Sequence, residues 1–409
     1  MHDAIAVAVF VVSYALIATR RLSLLPIGRP AGALLGAVAM VLLGVLSPAD
    51  ALAAIDGATI VLLFGMMALA AYLERSGAFA RLTALATRAL GTPRALLLGV
   101  AIAPGVLSAF LLNDAVCLFL AAPLAELCTR RSLPHGPYLI ALATSANIGS
   151  AATLIGNPQN MIVGSLSGYG FVAFLAAVGP AAVVGLAVNA GLLFWYYARR
   201  LPDAHAPDRA PAPEAAPARV ARLPLVVTVA LVVALLAGVH LGLAVLTAVM
   251  VLVLADRREP TETFARVDWP LLVFFACLFV VVRGLDSTGL VAAAFAALEG
   301  QLSLDTAPGL AELSAFLAIG SNVVSNVPMV LLVGPHLAAL GQPERAWALV
   351  AFVTTVAGNL TLIGSVANLI VAERAHPHHD LGFLEYLRFG ALSTLLVLCA
   401  GVPVVYLAT

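Results

Sequence analysis

The sequence predicts an all-α polytopic membrane protein of about ten transmembrane helices and two re-entrant helical hairpins, arranged as two inverted-topology repeats. Three observations predict it. The first is composition: of 409 residues, 62% are hydrophobic and 10% charged, with a mean hydropathy of +1.05. That is more apolar surface than a soluble core needs. The second is charge spacing, since residues 132–198 contain no Asp, Glu, Lys or Arg over 67 positions. As helix this stretch would measure about 100 Å, so it crosses a hydrocarbon layer of about 30 Å more than once. The third is a polar pattern that returns in the second half of the chain. Lysine is absent, and 21 arginines balance 21 acids, so the chain has no electrostatic pull toward nucleic acid. A secreted disulfide scaffold and a soluble enzyme are likewise excluded.

In chain order, the apolar runs fall at 4–19, 30–46, 58–73, 137–166, 171–198, 223–239, 241–255, 269–285, 345–371 and 387–407. The first opens on Asp3 rather than a basic cluster and stops at Arg20 and Arg21 without a small-residue cleavage site. It reads as a retained span, not a signal peptide. Residues 77–92 set Phe79, Leu82, Leu85 and Leu90 against Arg81, Thr83, Thr87 and Arg88, the pattern of a helix lying in the membrane interface.

Two further apolar stretches, 94–128 and 308–340, each carry a polar break at the middle: Asn113-Asp114 and Ser325-Asn326. Irregular backbone at membrane depth is tolerated where it lines a cavity or is buried in protein, which suits a hairpin returning to its own side. The alternative is a pair of short spans joined by an external turn. Arginine decides between them. With re-entrant hairpins and both termini outside, 19 of the 21 arginines fall in cytoplasmic loops, and only Arg283 and Arg345 lie outside. That asymmetry follows the positive-inside rule, and the expected location is a bacterial cell (inner) membrane. A first hairpin that crossed fully would invert the loops bearing Arg199, Arg200, Arg257 and Arg266. Residues 201–221 are Pro/Ala-rich and read as a flexible cytoplasmic linker between a first repeat, 1–200, and a second, 222–409.

The halves match without gaps at several points. Residues 56–77 align with 268–289 at an offset of 212, pairing Asp56 with Asp268 and Gly77 with Gly289. Asn113 then pairs with Asn326 and Ser108 with Ser321, and Thr153-Leu154-Ile155-Gly156…Asn160 matches Thr361-Leu362-Ile363-Gly364…Asn368. Five spans per half is an odd number, so the second copy is expected upside down. Secondary transporters build alternating access from such repeats, with the site near the midplane.

Four polar clusters stand at that depth. Two are the hairpin centres. The others are breaks in long spans: 145–160, with Asn147, Gly156, Asn157 and Asn160, and 358–368, with Thr361, Gly364 and Asn368. Pro158 removes a backbone donor, so the first span is expected to unwind near Gly156-Asn157. The second has no proline and a weaker signal. A broken helix exposes carbonyls that suit a cation and amides that suit an anion. Interhelical polar glue is the other use of such residues. Asp114 is the one acid assigned to mid-bilayer depth, and no arginine is expected beside it. Its counter-charge would be a bound cation or its own proton.

The hairpins, broken helices and the run Thr-Leu-Ile-Gly-Asn-Pro-Gln-Asn at 153–160 resemble the ion transporter superfamily. That superfamily includes citrate-transporter-like permeases, divalent anion:sodium symporters, arsenite/antimonite efflux pumps and a sodium/proton antiporter branch. The resemblance implies one cation site at Asn113, Asp114 and the 156–160 break, and a second at Ser325, Asn326 and the 364–368 break. Na⁺ is the implied ion at Asn113, Asp114, Asn160, Ser325, Asn326 and Asn368, with a small anionic substrate between the tips. The tips here read Leu112-Asn113-Asp114 and Ser325-Asn326-Val327, whereas dicarboxylate symporters carry Ser-Asn-Thr. An acidic tip is more like the arsenite pump and antiporter branches.

The function expected is a secondary active permease of a small anion, coupled to Na⁺ or H⁺. An arsenite/antimonite-type efflux pump or Na⁺/H⁺ antiporter is the alternative. No cofactor beyond the ion is expected, the lipid bilayer is the solvent, and a homodimer is a candidate assembly. Cys117, Cys128, Cys277 and Cys399 show no metal or redox spacing. His376, His378 and His379 read as a solvated loop, and Glu126, Glu312 and Glu373 as interfacial acids. No G-x-x-x-x-G-K-[ST], H-E-x-x-H or G-x-S-x-G motif occurs, which argues against a nucleotide-driven pump and an intramembrane enzyme.

Overall fold

The computed structural model describes residues 2–18, 28–202, 222–257, 259–299 and 302–409. Most of the 201–221 linker lies outside those residues, as do Arg20, Arg21, Arg209, Arg219 and Arg258. Every regular element among the described residues is helical. The first half holds α1 (His2–Ala18), α2 (Arg29–Leu42), α3 (Pro48–Ala53), α4 (Gly57–Arg75), α5 (Ala78–Ala89), α6 (Pro93–Phe110), α7 (Asn113–Arg130), α8 (His135–Ser150), α9 (Pro158–Ser167) and α10 (Phe171–Tyr197). The second holds α11 (Arg222–Leu236), α12 (Leu241–Asp256), α13 (Thr261–Phe264), α14 (Trp269–Asp286), α15 (Leu290–Glu299), α16 (Ala307–Val324), α17 (Asn326–Val333), α18 (Pro343–Ala357), α19 (Val366–Ala375) and α20 (Phe383–Ala408). The 3₁₀ segment Gly334–Leu340 extends α17.

The two series keep one order, and the same local chemistry starts corresponding helices. Asp56 caps α4 by accepting from the Ala58 amide at 3.1 Å, and Asp268 caps α14 from Leu271 at 3.0 Å. Thr92 caps α6 and Thr306 caps α16, each followed by a proline in the first turn. Such caps satisfy amides that have no carbonyl four residues earlier. Gly77 and Gly289 end α4 and α14 at φ values of 77° and 71°, where a side chain would be strained.

Six helices are long and apolar enough to cross a bilayer: Gly57–Arg75, Pro93–Phe110, Phe171–Arg200, Trp269–Asp286, Ala307–Val324 and Phe383–Ala408. Two of these, α6 and α16, are the first arms of the helix–turn–helix units, packing against α7 and α17.

The centre of the molecule is α8 and α18. Every residue of α8 from Gly136 to Ser150 is buried, as is every residue of α18 from Ala346 to Ala357. A helix apolar on all sides has no solvent or lipid face to present, so it sits inside. Around them α2 packs on α14, and correspondingly α12 packs on α4. Glycines set this closeness: a Cβ at Gly36 would press on Val281, and one at Gly284 on Met40. These two contacts share nearly one offset, so α2 and α14 run parallel with their first residues on the same face. Two ion pairs fasten the other end of α4, Arg266 to Glu74 at 2.7 Å and Arg75 to Asp256 at 3.1 Å.

Both long spans break. Asn157, followed by Pro158, caps α9 by accepting from the Asn160 amide at 2.8 Å. The second break forms without a proline. Its residues 358–365 are held by Asn368, whose amide donates to the Gly358 and Thr361 carbonyls at 2.8 and 3.1 Å.

Candidate functional site

The first hairpin turns on Leu111 and Leu112, both extended, and α7 begins at Asn113. The Asn113 amide nitrogen donates to the Gly156 carbonyl at 2.9 Å, which seats the tip on the first break. Its side chain donates to Asn147 Oδ1 at 2.9 Å and accepts from the Asp114 amide at 2.9 Å.

Asn147, 1% exposed, is the hub. Its Nδ2 donates to Asn359 Oδ1 at 2.8 Å and to Asn368 Oδ1 at 2.9 Å, while its Oδ1 also accepts from Ser365 at 3.2 Å. The first tip and the second break are therefore joined through one side chain of α8. The same relation recurs with the halves exchanged. At the offset of 208 that aligns the breaks, Asn147 corresponds to Thr355 and Asn368 to Asn160, and Thr355 donates to Asn160 Oδ1 at 3.5 Å. Thr355 also accepts from Gln159 at 3.2 Å. Asn160, like Asn368, ties its own break, donating to the carbonyls of Ser150, Ala151 and Thr153.

The second tip is built differently. Ser325 has φ 72° and ψ 160°, a region that glycine occupies and other residues enter under strain. Asn322 donates to the Ala357 carbonyl at 3.0 Å and accepts from Thr361 at 3.3 Å, seating α16 on the second break. Among the buried oxygens with no hydrogen-bond partner in the described residues are Asn326 Oδ1 and the hydroxyls of Ser108 and Ser321, near the two tips. Ser108 and Ser321 are the pair aligned from sequence.

A cavity of about 120 Å³ lies between the tips. Asn113, Asp114, Ser325, Asn326 and Gly364 line it, together with Ser321, Gln159 and Ser365. Of the residues singled out from sequence, Asn147, Gly156, Asn157, Asn160, Thr361 and Asn368 stand behind this wall and brace it. Asp114 is 7% exposed, and among the described residues its carboxylate has no hydrogen-bond or ion-pair partner. Arg29, placed in a loop by the sequence reading, lines the same cavity from the first turn of α2. The expectation that no arginine stands beside Asp114 is therefore corrected. A charge at the end of an apolar run reads as a topology marker, and only packing shows which way a long side chain returns. Gln159, Asn322, Thr355 and Asn359 were also missed as candidates, although two lie inside the polar breaks. Their signal was the break itself, and nothing local distinguishes a wall from its brace.

The histidines expected in a solvated loop are partly packed. His379 stacks on His135 with ring centroids 5.5 Å apart and meets Glu385 at 3.2 Å. Thr129 lies 2.9 Å from His135 and 3.3 Å from His378.

The profile of the citrate transporter family (CitMHS) matches residues 14–357. The silicon efflux transporter LSI3 of Oryza sativa subsp. japonica is 35% identical, over 93% of each chain. The putative transporter arsB of Dictyostelium discoideum is 28% identical over 94% of this chain and 88% of its own. The crystal structure of the YdaH transporter of Alcanivorax borkumensis shares the fold, with a TM-score of 0.54 at 17% identity over 99% of this chain and 96% of that one.

Proposed function

The chain belongs to the citrate transporter family, a family of membrane anion permeases, and from that premise we propose a secondary active transporter that couples a small hydroxylated oxyanion or oxyacid to Na⁺ or H⁺ through Asp114. The observation that carries the reading is the Asp114 carboxylate, more than nine-tenths buried on the cavity that Arg29 also lines, with no hydrogen-bond or ion-pair partner among the described residues. A buried charge in a membrane protein needs compensation, and a transported cation or proton supplies it. The lining supports the substrate class. Arg29 brings a positive charge to the lining, whereas Asn326 Oδ1 and the Ser321 hydroxyl oxygen have no hydrogen-bond partner among the described residues. A small solute bearing both O⁻ or C=O-type acceptors and O–H donors satisfies both, and a cavity of about 120 Å³ favours it over a tricarboxylate. The silicon efflux relative supports the same class and the outward direction.

Ten spans, two re-entrant hairpins and two inverted repeats are the architecture we assign, with both termini outside a bacterial inner membrane. Each half contributes one hairpin tip and one broken helix, and movement of these against the outer helices provides alternating access. Na⁺, if it is the coupling ion, would bind at the tips, where Asn326 Oδ1 lacks a partner among the described residues.

Purified protein in liposomes is given arsenite, silicic acid and citrate in turn, with Na⁺ and pH gradients imposed separately. Gradient-driven uptake of one solute is expected. Asp114→Asn keeps shape and removes charge, so gradient-driven accumulation is lost while insertion is retained. Undiminished accumulation by that variant would show Asp114 to be polar glue.

A further inference from the structure

Asp114 borders two cavities. Besides the one between the tips, a second cavity of about 230 Å³ reaches it along α4, α7 and α19. Asp114 is the only described residue common to the two linings. Both run toward the same face of the molecule. The first passes the Arg29 end of α2 and Phe274 and Phe275 near the start of α14. The second passes Asp268, one residue before α14, and Glu373 and Arg374 at the end of α19. Helix α14 borders both near its beginning, Leu271 lining the second and Phe274 and Phe275 the first.

The linings differ in chemistry. The first is polar and carries one cation, Arg29, against Asp114. The second is apolar along its shaft, with Ala70, Leu118 and Phe119, and charged at its mouth. There Arg266 is matched by Glu74 outside the lining at 2.7 Å. Asp268 and Glu373 then outnumber Arg374, giving an acidic mouth above a buried carboxylate that has no partner among the described residues. Such a mouth concentrates cations and repels anions.

We propose that the coupling cation and the transported solute reach Asp114 by separate routes, the cation past Asp268 and Glu373, and the solute past Arg29. This rests on the reading of Asp114 as the coupling group, and it adds a division of labour between the two cavities. Separate routes let the cation arrive while the solute is in place, so neither must leave before the other binds.

The test needs no transport. In protein with its four native cysteines replaced, Asp114→Cys is modified from the arginine-rich face by Ag⁺ and by anionic sulfonatoethyl methanethiosulfonate. Ala70→Phe fills the second cavity and is expected to slow Ag⁺ on the order of tenfold while leaving the anionic reagent unchanged. Ser365→Phe, in the first cavity, is expected to do the reverse. Asp268→Asn with Glu373→Gln alters only exposed side chains, and Asn can still cap α14. That pair should slow Ag⁺ about threefold at low ionic strength and not at high salt. Equal slowing of Ag⁺ by both phenylalanines, slowing by neither, or lack of reaction with either probe overturns the proposal. Failure of the coupling reading appears instead in the uptake assay, as unchanged accumulation by Asp114→Asn.

Discussion

The side-chain amide of Asn147 uses both of its donors and accepts twice, all within the protein. Truncation to alanine strands four polar groups where no solvent reaches. A single buried group left unsatisfied costs about 1–3 kcal/mol. Asn147→Ala should therefore lose about 3 kcal/mol or more, read as a lowered unfolding temperature of the purified protein. Thr355→Ala removes the corresponding residue, whose contacts span 3.2 to 3.5 Å, and should cost only about 1 kcal/mol. Equal stability of Asn147→Ala and the parent would deny Asn147 its place as the hub. The importance of Asn113, Asn160 and Asn368 was legible because each recurs at a fixed offset in the other half. Asn147 has no asparagine counterpart, and three of its four side-chain partners lie more than 200 positions away. Arg29 was hidden for a different reason: its sequence position reports where a span ends, not where its guanidinium points.

At the level of elements, the second tip and the cluster of histidines at the start of α8 each carry a testable consequence. Ser325 at φ 72° holds α16 and α17 in a conformation that costs a non-glycine residue about 1–3 kcal/mol. Ser325→Gly should raise the unfolding temperature, whereas Ser325→Ala should not, and a rise in both would place the effect in the hydroxyl rather than the backbone. The start of α8, the segment after α19 and the start of α20 meet at His135, His379 and Glu385. Burial, then His379 and His378, hold His135 below its usual value of 6.5. The unfolded chain then binds a proton that the folded protein resists, so stability is present above about pH 6.5 and declines as pH falls through that region. His135→Gln should flatten this part of the stability profile. An unchanged acid slope in His135→Gln would locate the sensitivity elsewhere. The breaks were legible to different degrees, since Pro158 announces one, while the other depends on Asn368 reaching back to Gly358 and Thr361.

For the whole molecule, the arginine distribution implies an orientation that labelling can check. The exposed positions Ala339, beside the second hairpin, and Asp380, after α19, lie on opposite sides in the proposed topology. Ala339→Cys should react only with an external impermeant thiol reagent and Asp380→Cys only from the cytoplasm. Reaction of both from one side would refute the crossing of the membrane by residues 345–371. The packing of α2 on α14 and of α12 on α4 gives each half a helix embedded against the other. A half expressed alone should therefore fail to yield the stable fold.

The sequence by itself determined that the chain is a helical membrane protein and where its polar breaks fall, and it aligned the two halves at several polar positions. Those properties are local: an apolar run, a proline, a capping aspartate or a repeated Thr-Leu-Ile-Gly acts on its own neighbourhood, and its meaning survives without knowledge of the rest. Only the tertiary structure decided which polar residues face the cavity and which stand behind it. It also brought Arg29 beside Asp114 and divided the space around Asp114 into two linings. In an apolar chain a polar side chain must find its partner across helices, and helix-crossing geometry chooses that partner from residues far apart in sequence.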